Sequence, residues 1–219
     1  DDEKCKLCGT CADVCPSEAL QLIGYTATVS EILSAVMRDE SFYKTSGGGV
    51  TLSGGEPLYQ FDFALALLKA FKENGLHTAV ETSGCFSWEK IGTISPFTDL
   101  FLYDIKVIDP EKHKKFCNAD NSLILSNARR LAESGAEILF RTPLIPGLND
   151  TPEDLKLLGE FILSLPGDQS LDLMPYHRIG TGKYEALGMQ YTLQDVKEPD
   201  NIDQQKAVII QMGVKLAVR

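Results

Sequence analysis

The chain has 219 residues, 43% of them hydrophobic, which suits one α/β domain with a small appendage. Asp and Glu outnumber Lys and Arg by 31 to 21, for a net charge of −10, so phosphate backbones are repelled and neither nucleic acid nor an anionic membrane is a natural partner. No apolar run is long enough to span a bilayer and no signal-peptide pattern is present, so a cytoplasmic location is the default.

Of six cysteines, four lie within a single short run: Cys5, Cys8, Cys11 and Cys15, with Pro16 following. This C-x2-C-x2-C-x3-C-P spacing is that of a bacterial ferredoxin loop holding a [4Fe–4S] cluster. Short gaps let one tight loop wrap three thiolates round a cube. Gly9 permits the turn, Thr10 and Ala12 are small, and Pro16 ends it. A reducing cytosol argues against disulfides, and zinc takes two separated pairs of ligands rather than one run. In two-cluster ferredoxins the fourth cysteine ligates the other cluster, which makes Cys15 a candidate ligand to a second one. Cys85 and Cys117 are isolated; each reads as a small buried hydrophobe without a role.

Beyond about residue 25 a regular alternation sets in. Thr28-Val29-Ser30-Glu31 is a capping box, and Val29, Ile32, Leu33 and Val36 follow at helical spacing. Gly47-Gly48-Gly49 leads to a short strand, Val50–Leu52. A helix with Ala64, Leu67, Leu68 and Phe71 on one face stops at Gly75, and His77–Val80 reads as a strand. A weaker helix over Trp88–Ile94 precedes the strand Leu100–Ile105, and a helix over Ser122–Ser134 precedes the strand Ile138–Arg141. Thr151-Pro152-Glu153 starts a helix with an N-cap Thr and Pro at its first position, its apolar face being Leu155, Leu158 and Ile162. The strand Leu171–Met174, a helix over Ile202–Met212 and the segment Lys215-Leu216-Ala217-Val218 complete the chain. Strands alternating with helices predict a parallel sheet with helical crossovers.

The residues just past each strand carry the functional signal. They are Ser53-Gly54-Gly55-Glu56-Pro57, Glu81-Thr82-Ser83-Gly84, Asp104-Ile105-Lys106, Arg141, and Pro175-Tyr176-His177. In a β/α barrel these ends meet on one face, where active sites lie. Gly54 and Gly55 expose backbone to a ligand; Glu56 and Asp104 can hold an ammonium group, Lys106 and Arg141 a carboxylate. Such a site suits the amino-acid end of a zwitterion. The plainer alternatives are a tight turn at the glycines and a surface salt bridge at Lys106 and Arg141.

Thr51-Leu52-Ser53-Gly54-Gly55-Glu56-Pro57-Leu58 resembles the glycine-glycine-glutamate motif of radical S-adenosylmethionine (SAM) enzymes. Asp104-Ile105-Lys106 with Asp109 and His113, the stretch Asn121 to Asn127, Arg141-Thr142-Pro143-Leu144-Ile145-Pro146-Gly147 and Pro175-Tyr176-His177 resemble segments of the glycyl-radical-enzyme activases. The ferredoxin run resembles their subgroup with a ferredoxin-like insert. The resemblance implies a partial (β/α)6 TIM-like barrel over residues 26–219 missing its first strand, preceded by part of a ferredoxin-like segment over residues 1–25. It implies that a reduced [4Fe–4S] cluster cleaves SAM to methionine and a 5′-deoxyadenosyl radical, which takes hydrogen from a glycine Cα of a partner enzyme. Implied partners are a glycyl radical enzyme and a flavodoxin- or ferredoxin-type electron donor. By position, Ser53, Gly54, Gly55, Glu56, Glu81, Thr82, Asp104, Lys106 and His177 would line the SAM site, with Arg141 facing the SAM carboxylate or the incoming peptide. Glu81 stands where the pyruvate formate-lyase activase has an aspartate at a monovalent-cation site. Cys5, Cys8, Cys11 and Cys15 would hold a cluster that relays electrons or braces the insert; such clusters are oxygen-labile and suit an anaerobic cell.

The family's C-x3-C-x2-C run is not among these residues, and the chain opens at Asp1 rather than Met. The expectation is therefore a fragment, inactive alone in SAM cleavage and with an exposed sheet edge. Competing readings are a radical SAM enzyme acting on a small molecule, a one-cluster electron-transfer module, and a non-catalytic binding fragment.

Overall fold

The computed structural model describes residues 5–6, 8–22 and 24–217. The opening Asp1–Lys4 and Val218 therefore lie outside the described residues. Six strands form one sheet in sequence order: β1 (Gly49–Leu52), β2 (His77–Thr82), β3 (Leu100–Asp104), β4 (Ile138–Leu144), β5 (Ser170–Pro175) and β6 (Lys215–Leu216). Every neighbouring pair is parallel. The helices are α1 (Thr10–Asp13), α2 (Val29–Val36), α3 (Glu40–Ser46), α4 (Phe61–Glu73), α5 (Trp88–Ile94), α6 (Pro110–Cys117), α7 (Ser122–Glu133), α8 (Pro152–Leu163), α9 (Thr181–Ala186) and α10 (Asp203–Gln211). Strand, crossover helix and parallel strand repeat from β1 to β6, the order of a partial barrel with β1 at one edge and β6 at the other.

Local chemistry explains the boundaries. Thr28 caps α2 through a complete capping box, its amide donating to Glu31 Oε2 at 2.7 Å while its hydroxyl accepts from the Glu31 amide. Thr151 caps α8 with Pro152 at the first position. Gly75 and Gly135 follow α4 and α7 at φ 72° and 76°, a left-handed conformation that glycine adopts without penalty. The sequence reading placed α2, α4, α5, α7, α8 and α10 but gave no element to α3, α6 and α9. These are short and polar: α6, Pro-Glu-Lys-His-Lys-Lys-Phe-Cys, buries only His113. Pairing also stretches β4 to Leu144 and β2 to Thr82, past the expected Arg141 and Val80. β3, by contrast, stops at Asp104.

The two faces of the sheet differ. Val80, Phe101, Tyr103, Ile138, Phe140, Leu171 and Leu173 are buried, with Leu68, Ile91, Leu131 and Leu158 from the crossover helices in the same cluster. A second cluster sets Val29, Ile32, Leu33 and Val36 of α2 against Leu67, Phe71 and Leu76. The alternate residues form the other face, and Glu81, Leu102, Asp104, Leu139, Arg141, Asp172 and Met174 are only partly covered there. A parallel sheet normally buries both faces; here the uncovered one carries the charge.

Candidate active site

At β1, Pro57 opens a 3-10 turn over Pro57–Gln60, and the residue before a proline is steered to extended backbone. Glu56 obeys, at φ −138° and ψ 111°. Its carboxylate turns toward the loop after β2: Oε1 accepts from the Thr82 hydroxyl at 2.9 Å, and Oε2 from the Ser83 amide and hydroxyl at 2.9 and 3.0 Å. Before it, Gly54 has φ 128°, in the region that disfavours any side chain. A Cβ on Gly54 or Gly55 would have no atom within 4 Å, so both glycines face open space.

The loop after β2 is held from below. Gly84 sits at φ 70° directly over the buried Tyr103 hydroxyl, which would lie 1.8 Å from an added Cβ. The Tyr103 hydroxyl donates to the Ile124 carbonyl of α7 at 2.7 Å. Asn127 of the same helix donates to the Gly84 and Phe86 carbonyls at 2.9 and 2.7 Å.

Across the open face runs a charge network. Arg141 bonds Glu81 at 2.5 Å and Asp104 at 2.8 Å. Lys106 Nζ reaches the other Asp104 oxygen at 2.8 Å, and the Ser53 hydroxyl donates to Glu81 at 2.6 Å. Burial works against the charge on Glu81, but the hydrogen bonds from Ser53 and Arg141 prevail and hold its carboxyl below the usual range. Burial opposes the Arg141 charge too, and its two carboxylates more than restore it. The side chain of Arg141 is 14% exposed and that of Lys106 39%. Arg141 is thus a half-buried bridge between strands β2, β3 and β4, not a surface salt bridge. Lys106, an ammonium with three donors, is the more open cation.

The residues named from the sequence divide accordingly. Ser53, Gly54, Gly55, Glu56, Glu81, Thr82, Asp104 and Lys106 come together round the C-terminal ends of β1 to β3, and Arg141, expected past a strand end, reaches them from the middle of β4. His177, two residues past β5, is exposed and joins no bond of this network. His113 is buried against the Ala119 carbonyl, a structural placement. Cys85 and Cys117 are exposed, correcting the expectation of buried residues: one lies in the loop after Gly84 and the other ends the polar α6. Sequence reasoning assigned no role to Ser83, Tyr103, Asn121 or Asn149, single polar residues without periodicity. Ser83 stood among the residues past a strand and Asn121 opened a stretch resembling the activases, but neither was given a task of its own.

At the N-terminal end, Gly9 at φ 78° precedes the single turn α1. Cys5, Cys8 and Cys11, but not Cys15, line an apolar-walled cavity of about 570 Å³ with Val14, Leu20 and Leu22. Among the described residues no three His, Cys, Asp or Glu side chains gather closely enough for a single metal ion. A cubane cluster instead takes thiolates at separate corners, so donors spread round a cavity suit it. The Cys15 thiol is lowered to about 7 by the Ser17 hydroxyl and by backbone amides, and Cys8 is lowered by Thr10. Both shifts favour the thiolate that binds metal.

The radical SAM superfamily model matches residues 3–158. An isethionate sulfite-lyase activating enzyme of Oleidesulfovibrio alaskensis is 42% identical over 90% of the chain and 64% of its own length. A choline trimethylamine-lyase activating enzyme of the same organism is 43% identical over 82% and 59%. A trans-4-hydroxy-L-proline dehydratase activating enzyme of Clostridioides difficile is 41% identical over 91% and 76%. Among solved structures, a domain of a pyruvate-formate lyase-activating enzyme from Bacteroides vulgatus superposes with a TM-score of 0.66 at 32% identity, covering 78% of this chain and 99% of that one. The chain spans about three-fifths of the length of the curated relatives it matches first, 64% and 59% of the two from Oleidesulfovibrio alaskensis. With the polar strand ends gathered on the open face, these likenesses establish that the chain belongs to the radical SAM superfamily and, within it, to the family of glycyl-radical-enzyme activating enzymes.

Proposed function

We propose that these residues form the SAM-binding part of an activase that installs a glycyl radical on a partner enzyme. The observation that carries this reading is the union of an open glycine pair, a carboxylate fixed beside it and an accessible ammonium on one sheet face. When bound, SAM and a reduced [4Fe–4S] cluster supply the 5′-deoxyadenosyl radical; the protein supplies orientation and exclusion of water. Gly54 and Gly55 let the ligand approach the backbone, and Glu56 accepts from its ammonium group on a lone pair that Thr82 and Ser83 leave open. Lys106 pairs with its carboxylate. Arg141 bridges Glu81 and Asp104 and holds the two carboxylates apart. His177, exposed at the end of β5, borders the entrance for the glycine-bearing peptide.

The division into a ferredoxin-like segment, residues 1–25, and a barrel, residues 26–219, belongs to the same proposal. Cys5, Cys8 and Cys11 hold one cluster, and Cys15, which does not line their cavity, is the ligand of another. The electron donor is a flavodoxin- or ferredoxin-type protein. The cysteines of C-x3-C-x2-C are not among the six present, so the activity belongs to a polypeptide that supplies them.

The test is anaerobic incubation of such a polypeptide, its clusters reconstituted, with SAM, a reductant and a glycyl radical enzyme. The proposal expects 5′-deoxyadenosine and a glycine-centred radical by electron paramagnetic resonance, both lost in Glu56→Ala. 5′-Deoxyadenosine without a protein radical for any glycyl radical enzyme would point to a small-molecule substrate and contradict the proposal.

A further inference from the structure

Lys106 lies in a loop of irregular backbone, residues 105–109, between β3 and α6. Ile105 and Val107 are buried on either side of it and turn it outward. Three successive carbonyls of that loop are each bonded by a buried asparagine. Asn149 Nδ2 donates to Lys106 O and also to Pro143 O, both at 2.8 Å. Asn121 Nδ2 donates to Val107 O at 3.1 Å and to Ile108 O at 2.8 Å.

Neither asparagine serves only its own segment. Asn121 is the N-cap residue of α7, where asparagine usually caps, yet it makes no side-chain cap bond; Asp120 accepts from the Ser122 amide instead. Asn149 follows the Pro146-Gly147 turn, and its Oδ1 accepts from the Ile145 amide at 2.7 Å. It thereby ties the end of β4, which carries Arg141, to the loop after β3. Only a carboxamide offers two donors and one acceptor in this geometry.

We infer that Asn121 and Asn149 are positioning residues, a clamp that fixes the Lys106 ammonium beside Asp104 to receive the carboxylate of SAM. This inference rests on the SAM reading above. Asn149→Asp keeps size and the acceptor for Ile145 but turns an oxygen toward two carbonyls. Asn121→Ser is the milder companion, releasing only Val107 and Ile108, and remains informative should Asn149→Asp not fold.

The experiment is SAM titration of this chain by NMR, run on wild type, Lys106→Ala, each asparagine variant and the doubles with Lys106→Ala. The clamp predicts an affinity loss of about tenfold in each asparagine variant. It further predicts no additional loss when either is combined with Lys106→Ala, because a residue acting through Lys106 has nothing left to position. Asparagine variants that bind like wild type while Lys106→Ala is weakened would overturn the clamp alone. Losses that add to that of Lys106→Ala would mean general loosening and overturn it too. A Lys106→Ala chain that binds SAM as wild type does would overturn the reading of Lys106 and the clamp with it.

Discussion

Replacing Arg141 by Met removes the guanidinium that bonds both Glu81 and Asp104 while keeping much of its aliphatic volume. The two carboxylates are 35% and 15% exposed and would then face each other across neighbouring strands. Removing one partner of a fully buried pair costs about 3–5 kcal/mol. Glu81 keeps water and the Ser53 hydroxyl, and Asp104 keeps Lys106, so about 2 kcal/mol is expected here. For a domain of this size that lowers Tm by about 4–8 °C. The pH dependence has a definite sign. Glu81's carboxyl lies below its ordinary value in the folded chain, so its contribution is present above the unfolded pKa, about 4.3, and is lost as pH falls through the folded value. In Arg141→Met the part due to Arg141 is gone while that due to Ser53 remains, so the stability gap to wild type should be full at neutral pH and shrink as pH falls below about 4.3. Urea denaturation followed by the single tryptophan, Trp88, reads both. Adding Glu81→Gln should recover part of the loss. Equal stability of Arg141→Met and wild type at neutral pH, or a gap unchanged by acid, would refute the bridge.

Gly84→Ala is expected to destabilise by about 3 kcal/mol or more, since its Cβ meets the Tyr103 hydroxyl at 1.8 Å on a left-handed backbone, and Gly84→Ala/Tyr103→Phe should be less damaging than the sum of its parts in calorimetry. Thr28→Ala removes the capping box of α2 and should cost about 1 kcal/mol in the same measurement. Anaerobic reconstitution of the chain with iron and sulfide should give a brown chromophore with about four irons. Cys5→Ser, Cys8→Ser or Cys11→Ser should abolish it, and Cys15→Ser should reduce it less, as expected if only three of the four thiols share a cavity.

Much of this was legible in the sequence, for identifiable reasons. Helices with a strong apolar stripe and a cap, such as α2 and α8, announce themselves through periodicity and Thr28 or Thr151. The strands were found because Val, Ile, Leu and Phe cluster where one face is buried, and the site because polar residues follow each strand. Pairing partners were not legible. Nothing local says that Arg141 is bonded by Glu81, sixty positions away, and not left for a ligand's carboxylate. The work of the asparagines was hidden for the same reason: Asn121 was named only for a resemblance, and Asn149, which drew no reading at all, bonds Lys106 across forty-three positions. The polar α6 has no stripe to betray it, although Asp109-Pro110 is a sound helix start.

The measurement that bears most directly on the central claim is where SAM binds this chain. Amide shifts on titration with SAM should fall on Ser53 to Glu56, Glu81 to Ser83 and Lys106, and should vanish when Gly54→Ala closes the open backbone. Shifts gathered elsewhere, for instance round the cavity between β5 and α10 lined by Asp172, Asp200 and Lys206, or no shifts at saturating SAM, would contradict it.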